Sequence, residues 1–134
     1  MPNHYHFLVY LTDETLSDAM KSLSLSYTKA INQRFNRVGV LFQGRFHSIL
    51  VDQSDYLVNL SRYIHLNPVK AGLVQQVGEW EFSSYLEYAG LRRGTLPKTE
   101  FIRAQIEGEL AYQQFLADCK LPNSIGFKRL LLDE

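Results

Sequence analysis

The stretch NHYHFLVYL, residues 3–11, decides which fold the sequence predicts, because it joins two histidines to an apolar run. Aromatic and β-branched residues are typical of strands, and side chains alternate between the two faces of a strand. His4 and His6 would therefore share one face, and Tyr5 and Phe7 the other. Two imidazoles on one face can bind one metal ion, but such a pair more often serves as two hydrogen-bonded polar side chains. The triplet alone leaves both alternatives open, and a third ligand is needed to favour the metal.

The chain has the size and composition of one globular domain, with 134 residues of which 46% are hydrophobic. No apolar run reaches the roughly 18 residues of a membrane helix, and no secretory signal precedes the first histidine. The single cysteine, Cys119, cannot form an internal disulfide, which suits a reducing compartment. We therefore expect a cytoplasmic protein without a membrane partner.

The formal net charge of zero conceals a basic middle of the chain. Between Ala19 and Gly78, seven basic side chains stand against two acidic ones. Scattered charge of this size is usual on a solvated surface, so by itself it indicates a nucleic-acid partner only weakly.

Two amphipathic helices are predicted after the first strand. Over residues 16–35 apolar side chains recur at three- and four-residue spacings, with Thr15 as the capping residue and Gly39 as the expected end. Residues 54–67 form the second helix, which we expect to end there because Pro68 disfavours the helical conformation of the residue before it.

A further strand, or a bent pair of strands, is predicted for VLFQGRFHSILVD, residues 40–52. Together with the first strand and the two helices it predicts an α+β fold, in which helices cover an antiparallel β-sheet.

The stretch YIHLN, residues 63–67, brings Tyr63 and Asn67 to one helical face, with their Cβ atoms about 6 Å apart. Laid against the two histidines, Asn67 would be a third ligand and Tyr63 a hydroxyl beside the metal, and such a ligand set suits Mg²⁺ or Mn²⁺. Equally, Tyr63 could be an ordinary half-buried aromatic and Asn67 a cap for the next turn. His47 and His65 have no partner at ligand spacing, so we expect them at the surface or against phosphate.

Three motifs together, MPNHYHFLV, LFQGRFHSILV and YIHLNPVKAGLV, closely resemble the REP-associated tyrosine transposases, within the single-tyrosine HUH transposase superfamily. The resemblance covers residues 1 to about 90. It implies a ferredoxin/RRM-like HUH catalytic domain over residues 1–90 and a C-terminal helical extension over residues 91–134. Members of this family usually carry a further strand and helix before the HUH strand, so the resemblance also implies an N-terminally truncated chain.

In that family two histidines and an amide side chain hold a divalent cation, and a single tyrosine attacks a phosphodiester in single-stranded DNA. On this sequence the ligands match His4, His6 and Asn67, and the nucleophile matches Tyr63. The resemblance implies a metal-dependent endonuclease and strand transferase that forms a 5′-phosphotyrosine, with Mg²⁺ or Mn²⁺ as cofactor. The implied partners are single-stranded or hairpin DNA and, because some tyrosine helices of the superfamily come from a second subunit, a second copy of the chain.

The side chains that we expect to contact DNA phosphates are basic residues of the middle region: Arg34, Arg37, Arg45, Arg62 and Lys70. Two other functions stay open. One is a transposase-derived domain that binds single strands or hairpins without cutting them, and the other is a divalent-metal hydrolase with no nucleic-acid partner.

Overall fold

The computed structural model describes residues 1–12, 15–106, 111–118, 128–129 and 131. Its helices are α1 (Leu16–Arg34), α2 (Ser54–Lys70), a 3₁₀ helix (Val77–Glu79), α3 (Tyr85–Tyr88), α4 (Glu100–Arg103) and α5 (Ala111–Asp118). Among these residues no helix is both long and apolar enough to cross a membrane. The chain forms two compact units: one joins Met1–Leu8 to the residues from Leu50 onward, and the other is Val9–Ile49.

The predicted antiparallel sheet, and with it the α+β fold class, is wrong. Within the described ranges the structure contains helices and no strand, and residues 4–11 and 40–52 lie outside any helix or strand. A strand takes its backbone hydrogen bonds from a neighbouring strand, so an alternating pattern and a high β-propensity do not form a sheet unless another segment pairs with it. The fold of the described residues is therefore helical.

The unit Val9–Ile49 is built on α1, which begins at the predicted cap. The Thr15 hydroxyl oxygen accepts a hydrogen bond from the Asp18 backbone N–H at 3.4 Å. The helix ends earlier than predicted, before Asn36, whose φ of 50° lies in the left-handed region. Met20 is the buried residue of α1, whereas Phe35, expected in the core stripe, is 61% exposed. The part of the chain that the structure describes contains no sheet on which the apolar stripe of α1 could pack.

Helix α2 continues past its predicted end, through Pro68 to Lys70. The proline lies in the last turn and lacks the N–H that would donate to the Ile64 carbonyl, and the helix continues for only two residues beyond it. After the helix, Gly72 adopts a φ of 69° and the Leu73 N–H donates to the Pro68 carbonyl at 3.0 Å. This is the Schellman arrangement that commonly ends helices. The additional turn places Lys70 two turns after Tyr63 on the same helical face.

Two apolar clusters form the core of the unit that contains α2. The smaller cluster consists of Leu60, Tyr63 and Leu131. The larger cluster has these buried members: Val58, Tyr88, Ile102, Tyr112 and Leu116. Leu8 packs against both clusters. Residues before and after position 90 thus pack together, and the division of the chain at residue 90 stays a prediction.

A chain of hydrogen bonds crosses the buried side of α2. The Ser84 hydroxyl donates to Nε2 of His65 at 2.9 Å, and Nδ1 of His65 donates to the Tyr112 oxygen at 2.6 Å. The Tyr112 hydroxyl donates to Ser61 at 2.9 Å, and Ser61 donates to the Val58 carbonyl at 2.7 Å. Each hydroxyl has one hydrogen to donate, so all four hydrogen bonds point in the same direction along the series. A neutral His65, with one donor and one acceptor nitrogen, satisfies both of its bonds. The expectation of His65 at the surface is wrong, since it is 3% exposed.

The buried His65 predicts an acid-dependent stability. Burial lowers the pKa of His65 to about 4, with the Glu87 carboxylate opposing this shift, and the phenols of Tyr85, Tyr88 and Tyr112 surround the ring. In the unfolded chain a histidine has a pKa of about 6.5. Between these values the unfolded state binds a proton that the folded state does not. The free energy of unfolding should therefore fall by about 3 kcal/mol as the pH drops from about 6.5 to 4, and this contribution is complete above 6.5.

Urea unfolding in EDTA, at pH values between about 4 and 7, measures this dependence. We expect His65→Gln, which cannot titrate, to remove about 3 kcal/mol of the pH-dependent loss. His47→Gln is the matched control, because His47 is exposed, and it should keep the parental slope. Identical slopes in His65→Gln and the parent would contradict the prediction.

Candidate metal and nucleophile site

The candidate site lies where the N-terminal segment meets α2, within one compact unit. The rings of His4 and His6 are 5.0 Å apart between centroids and meet edge to face. The His6 ring is 6.2 Å from the Tyr63 ring, and its Nε2 lies 3.4 Å from Nδ2 of Asn67. The structure therefore brings the four residues singled out in the sequence close together.

The two histidines keep the predicted period of two although the described residues form no sheet. His4, His6 and Leu8 are half-buried, whereas Tyr5 and Phe7 are exposed and stack on each other with centroids 4.7 Å apart. Contacts with α2 and with the two apolar clusters therefore bury one face of this segment, as a sheet was expected to do.

Asn3 makes a contact that was not expected from the sequence. Its side-chain oxygen accepts a hydrogen bond from Nδ1 of His4 at 2.7 Å. An amide oxygen can only accept, so the proton of His4 lies on Nδ1 and its Nε2 is the atom that could bind a metal. The amide directly before the first histidine is the signal in the sequence that could have identified this partner.

The donor set fits a small divalent cation. Ligand atoms lie about 2.1 Å from Mg²⁺ and so about 3 Å from one another, and the amide of Asn67 is 3.4 Å from Nε2 of His6. A half-turn of this amide exchanges Nδ2 for Oδ1, the atom that can bind a cation. Among the described residues no three His, Cys, Asp or Glu side chains are grouped as a metal site. A cation here would depend on the amide as well as on the two imidazoles.

The Tyr63 side chain is 5% exposed and packs with Leu60 and Leu131. The Lys70 ammonium lies 5.3 Å from the centroid of its ring, close enough for attraction to the ring face. The same charge would stabilise negative charge that develops on the phenol oxygen.

The basic residues expected at phosphates lie in unlike environments. Arg62 is 8% exposed, and its Nε and Nη2 donate to the Leu116 carbonyl at 3.2 and 3.0 Å. This contact joins α2 to α5 and occupies the Nε–Nη2 edge of the guanidinium. The other four side chains are exposed: Arg34, Arg37, Arg45 and Lys70.

Comparison with known families identifies the class of protein. The family described as Transposase IS200 like matches residues 1–67, half of the chain. This range includes the histidines, Tyr63 and Asn67. The chain belongs to the IS200-like transposase family, which confirms the resemblance seen in the motifs.

Two curated relatives narrow the comparison. A protein of Haemophilus influenzae that carries the name of a REP-associated tyrosine transposase is 29% identical over 96 residues, which cover 63% of this chain and 54% of that protein. The REP-associated tyrosine transposase of Escherichia coli K12 is 31% identical over 101 residues, which cover 72% and 56%. The chain thus spans about half the length of the curated relatives it matches. No solved structure matches it significantly.

The buried position of Arg62 predicts a role in stability. Arg62→Gln removes two charge-assisted hydrogen bonds and leaves the Leu116 carbonyl without them, which should lower the free energy of unfolding by about 1–3 kcal/mol. Arg37→Gln, at an exposed position, should stay within about 0.5 kcal/mol of the parent. Urea unfolding of both variants checks this. A stability of Arg62→Gln equal to that of the parent would contradict it.

Proposed function

We propose that the chain is a transposase domain that cuts and rejoins single-stranded or hairpin DNA through Tyr63, with Mg²⁺ or Mn²⁺ at His4, His6 and Asn67. The observation that carries the proposal is the 3.4 Å approach of the Asn67 amide to His6, with the Tyr63 ring against the same imidazole. Membership of the IS200-like transposase family supports it.

The proposed reaction is a transesterification at phosphorus. The phenol oxygen of Tyr63 bonds to the phosphorus of a DNA phosphodiester, and the bond from phosphorus to the 3′ oxygen breaks. The phenol loses its proton to a base, and the 3′ oxygen takes up a proton and leaves as a hydroxyl. The product is a 5′-phosphotyrosine, which a 3′-hydroxyl can attack to rejoin DNA without ATP. A cation held by the two histidines and Asn67 would polarise the phosphate and stabilise charge on its oxygens.

Residues near Tyr63 would make its phenol, a weak nucleophile at neutral pH, more reactive. A phenol ordinarily has a pKa of about 10, so at neutral pH its attack needs a base and nearby positive charge. Lys70, 5.3 Å from the ring centroid, supplies such a charge. Asn3 holds His4 with Nε2 available as a ligand. Since Tyr63 lies against His6 of its own chain, we propose that the tyrosine and the histidines of one chain act together.

Removal of the tyrosine hydroxyl tests the nucleophile. Tyr63→Phe keeps the ring and its packing, so folding and DNA binding should survive while the covalent protein–DNA adduct disappears. A hairpin oligonucleotide labelled at its 3′ end, incubated with Mg²⁺ or Mn²⁺ and resolved under denaturing conditions, measures the adduct. Nicking by Tyr63→Phe at the parental rate would make water the nucleophile and overturn the proposal.

Two controls accompany this experiment. His6→Ala should lose adduct formation in Mg²⁺ and regain part of it in excess Mn²⁺, which binds more tightly at nitrogen-containing sites, whereas Tyr63→Phe should not be rescued. A mixture of the two variants in Mg²⁺ should stay inactive, and activity in this mixture would show instead that a second copy of the chain contributes the tyrosine. Hairpin binding by the unmodified chain without any adduct would favour the domain that binds and does not cut.

Of the predicted phosphate contacts, the four exposed side chains are proposed to contact DNA: Arg34, Arg37, Arg45 and Lys70. The salt dependence of binding tests this. Each lost contact to a single strand flattens the slope of log K against log salt by about 0.7. Glutamine in place of Arg34, Arg37 and Arg45 should therefore flatten it by about 2. Arg92→Gln is the control, because Arg92 is paired with Glu87 at 2.6 Å, and it should keep the parental slope. An unchanged slope in the triple variant would place the DNA surface elsewhere.

A further inference from the structure

Helix α2 presents two opposite faces to two different parts of its unit. An α-helix turns by about 100° per residue, so residues two positions apart point in nearly opposite directions. Tyr63 and Asn67 face the histidines of the N-terminal segment. Ser61 and His65, each two positions away from one of them, face Tyr112 of α5.

The contacts on this second face join one hydroxyl to two turns of the helix. The Tyr112 oxygen lies 2.6 Å from Nδ1 of His65 and 2.9 Å from Oγ of Ser61. The three side chains are buried, between 2% and 4% exposed. Ser61 donates its own hydrogen to the Val58 carbonyl within α2. Rotation of α2 relative to α5 would break the bonds to the Tyr112 oxygen, and buried groups cannot replace these bonds with water.

A second tether from α5 reaches the flank of α2. The Leu116 carbonyl accepts both hydrogen bonds from Arg62, at 3.2 and 3.0 Å. Tyr112 and Leu116 are four residues apart and share one face of α5. Two contacts one turn apart fix α2 against both rotation and sliding.

We propose that α5 is a positioning element of the candidate site, and that Tyr112 is the residue through which it sets the rotation of α2. The inference rests on the proposed function of Tyr63 and Asn67. With side chains reaching about 5–6 Å from a helix axis, a 20° rotation of α2 moves their tips by about 2 Å. A displacement of about 1 Å at reacting groups can cost a hundredfold in rate.

Tyr112→Phe tests the proposal because it removes the hydroxyl and keeps the ring. At saturating hairpin DNA, and well below the unfolding temperature, we expect at least about a tenfold lower rate of adduct formation with an unchanged Kd for DNA. A merely structural role would lower the unfolding midpoint and leave this rate unchanged. Tyr88→Phe is the matched control, since its ring packs 5.1 Å from that of Tyr112 and its hydroxyl makes none of the described bonds to α2, and it should stay within about twofold of the parent.

A second readout does not depend on activity. Nuclear Overhauser contacts between the His6 and Tyr63 rings, measured without DNA, should weaken in Tyr112→Phe and persist in Tyr88→Phe. If the parent forms no adduct, the proposed function fails while these contacts still test the positioning. Unchanged contacts, a parental rate in Tyr112→Phe, or equal losses in both variants would overturn the inference. Should Tyr112→Phe not fold, Ser61→Ala, which leaves the aromatic packing intact, is judged by the same criteria.

Discussion

The burial of α2 on two opposite faces is the constraint on which the rest of the structure depends. One face packs Leu60 and Tyr63 against Leu131, and the other carries polar groups that must find partners inside the protein. Leaving a buried polar group unsatisfied costs about 1–3 kcal/mol. The hydrogen bonds of its polar face therefore set the rotational orientation of α2 about its axis. This orientation in turn fixes where Tyr63 lies on the opposite face.

The N-terminal segment depends on the same helix. Leu8 packs against both apolar clusters, and His6 contacts both Tyr63 and Asn67. No strand lies beside this segment among the described residues. The segment is held instead by contacts with side chains of α2 and with the two apolar clusters. The geometry of the candidate site is thus set by tertiary packing around one helix.

The sequence predicts the local features of this arrangement well. The cap of α1 at Thr15, the shared face of Tyr63 and Asn67, and the alternation of His4 and His6 depend on residues close in sequence. The predicted sheet was wrong because the two segments alone do not show whether they pair, and pairing requires a partner elsewhere in the chain.

The burial of Arg62 and His65, two side chains expected at a polar surface, also could not be predicted from the sequence. Arg62 and His65 are buried by partners that lie 54 and 47 residues further along the chain. A polar stripe on a helix does not reveal whether water or a distant carbonyl and phenol will satisfy it. Both partners belong to α5, outside the residues that carry the resemblance to the family.

In the proposed function, α2 and the N-terminal segment form one cation site with the tyrosine beside it. Crystals soaked in Mn²⁺ and measured at the manganese absorption edge test it most directly. We expect one anomalous peak about 2.0–2.3 Å from Nε2 of His4, Nε2 of His6 and Oδ1 of Asn67, next to the Tyr63 side chain. A map with no peak among these three side chains, in crystals that bind Mn²⁺ elsewhere, would contradict it.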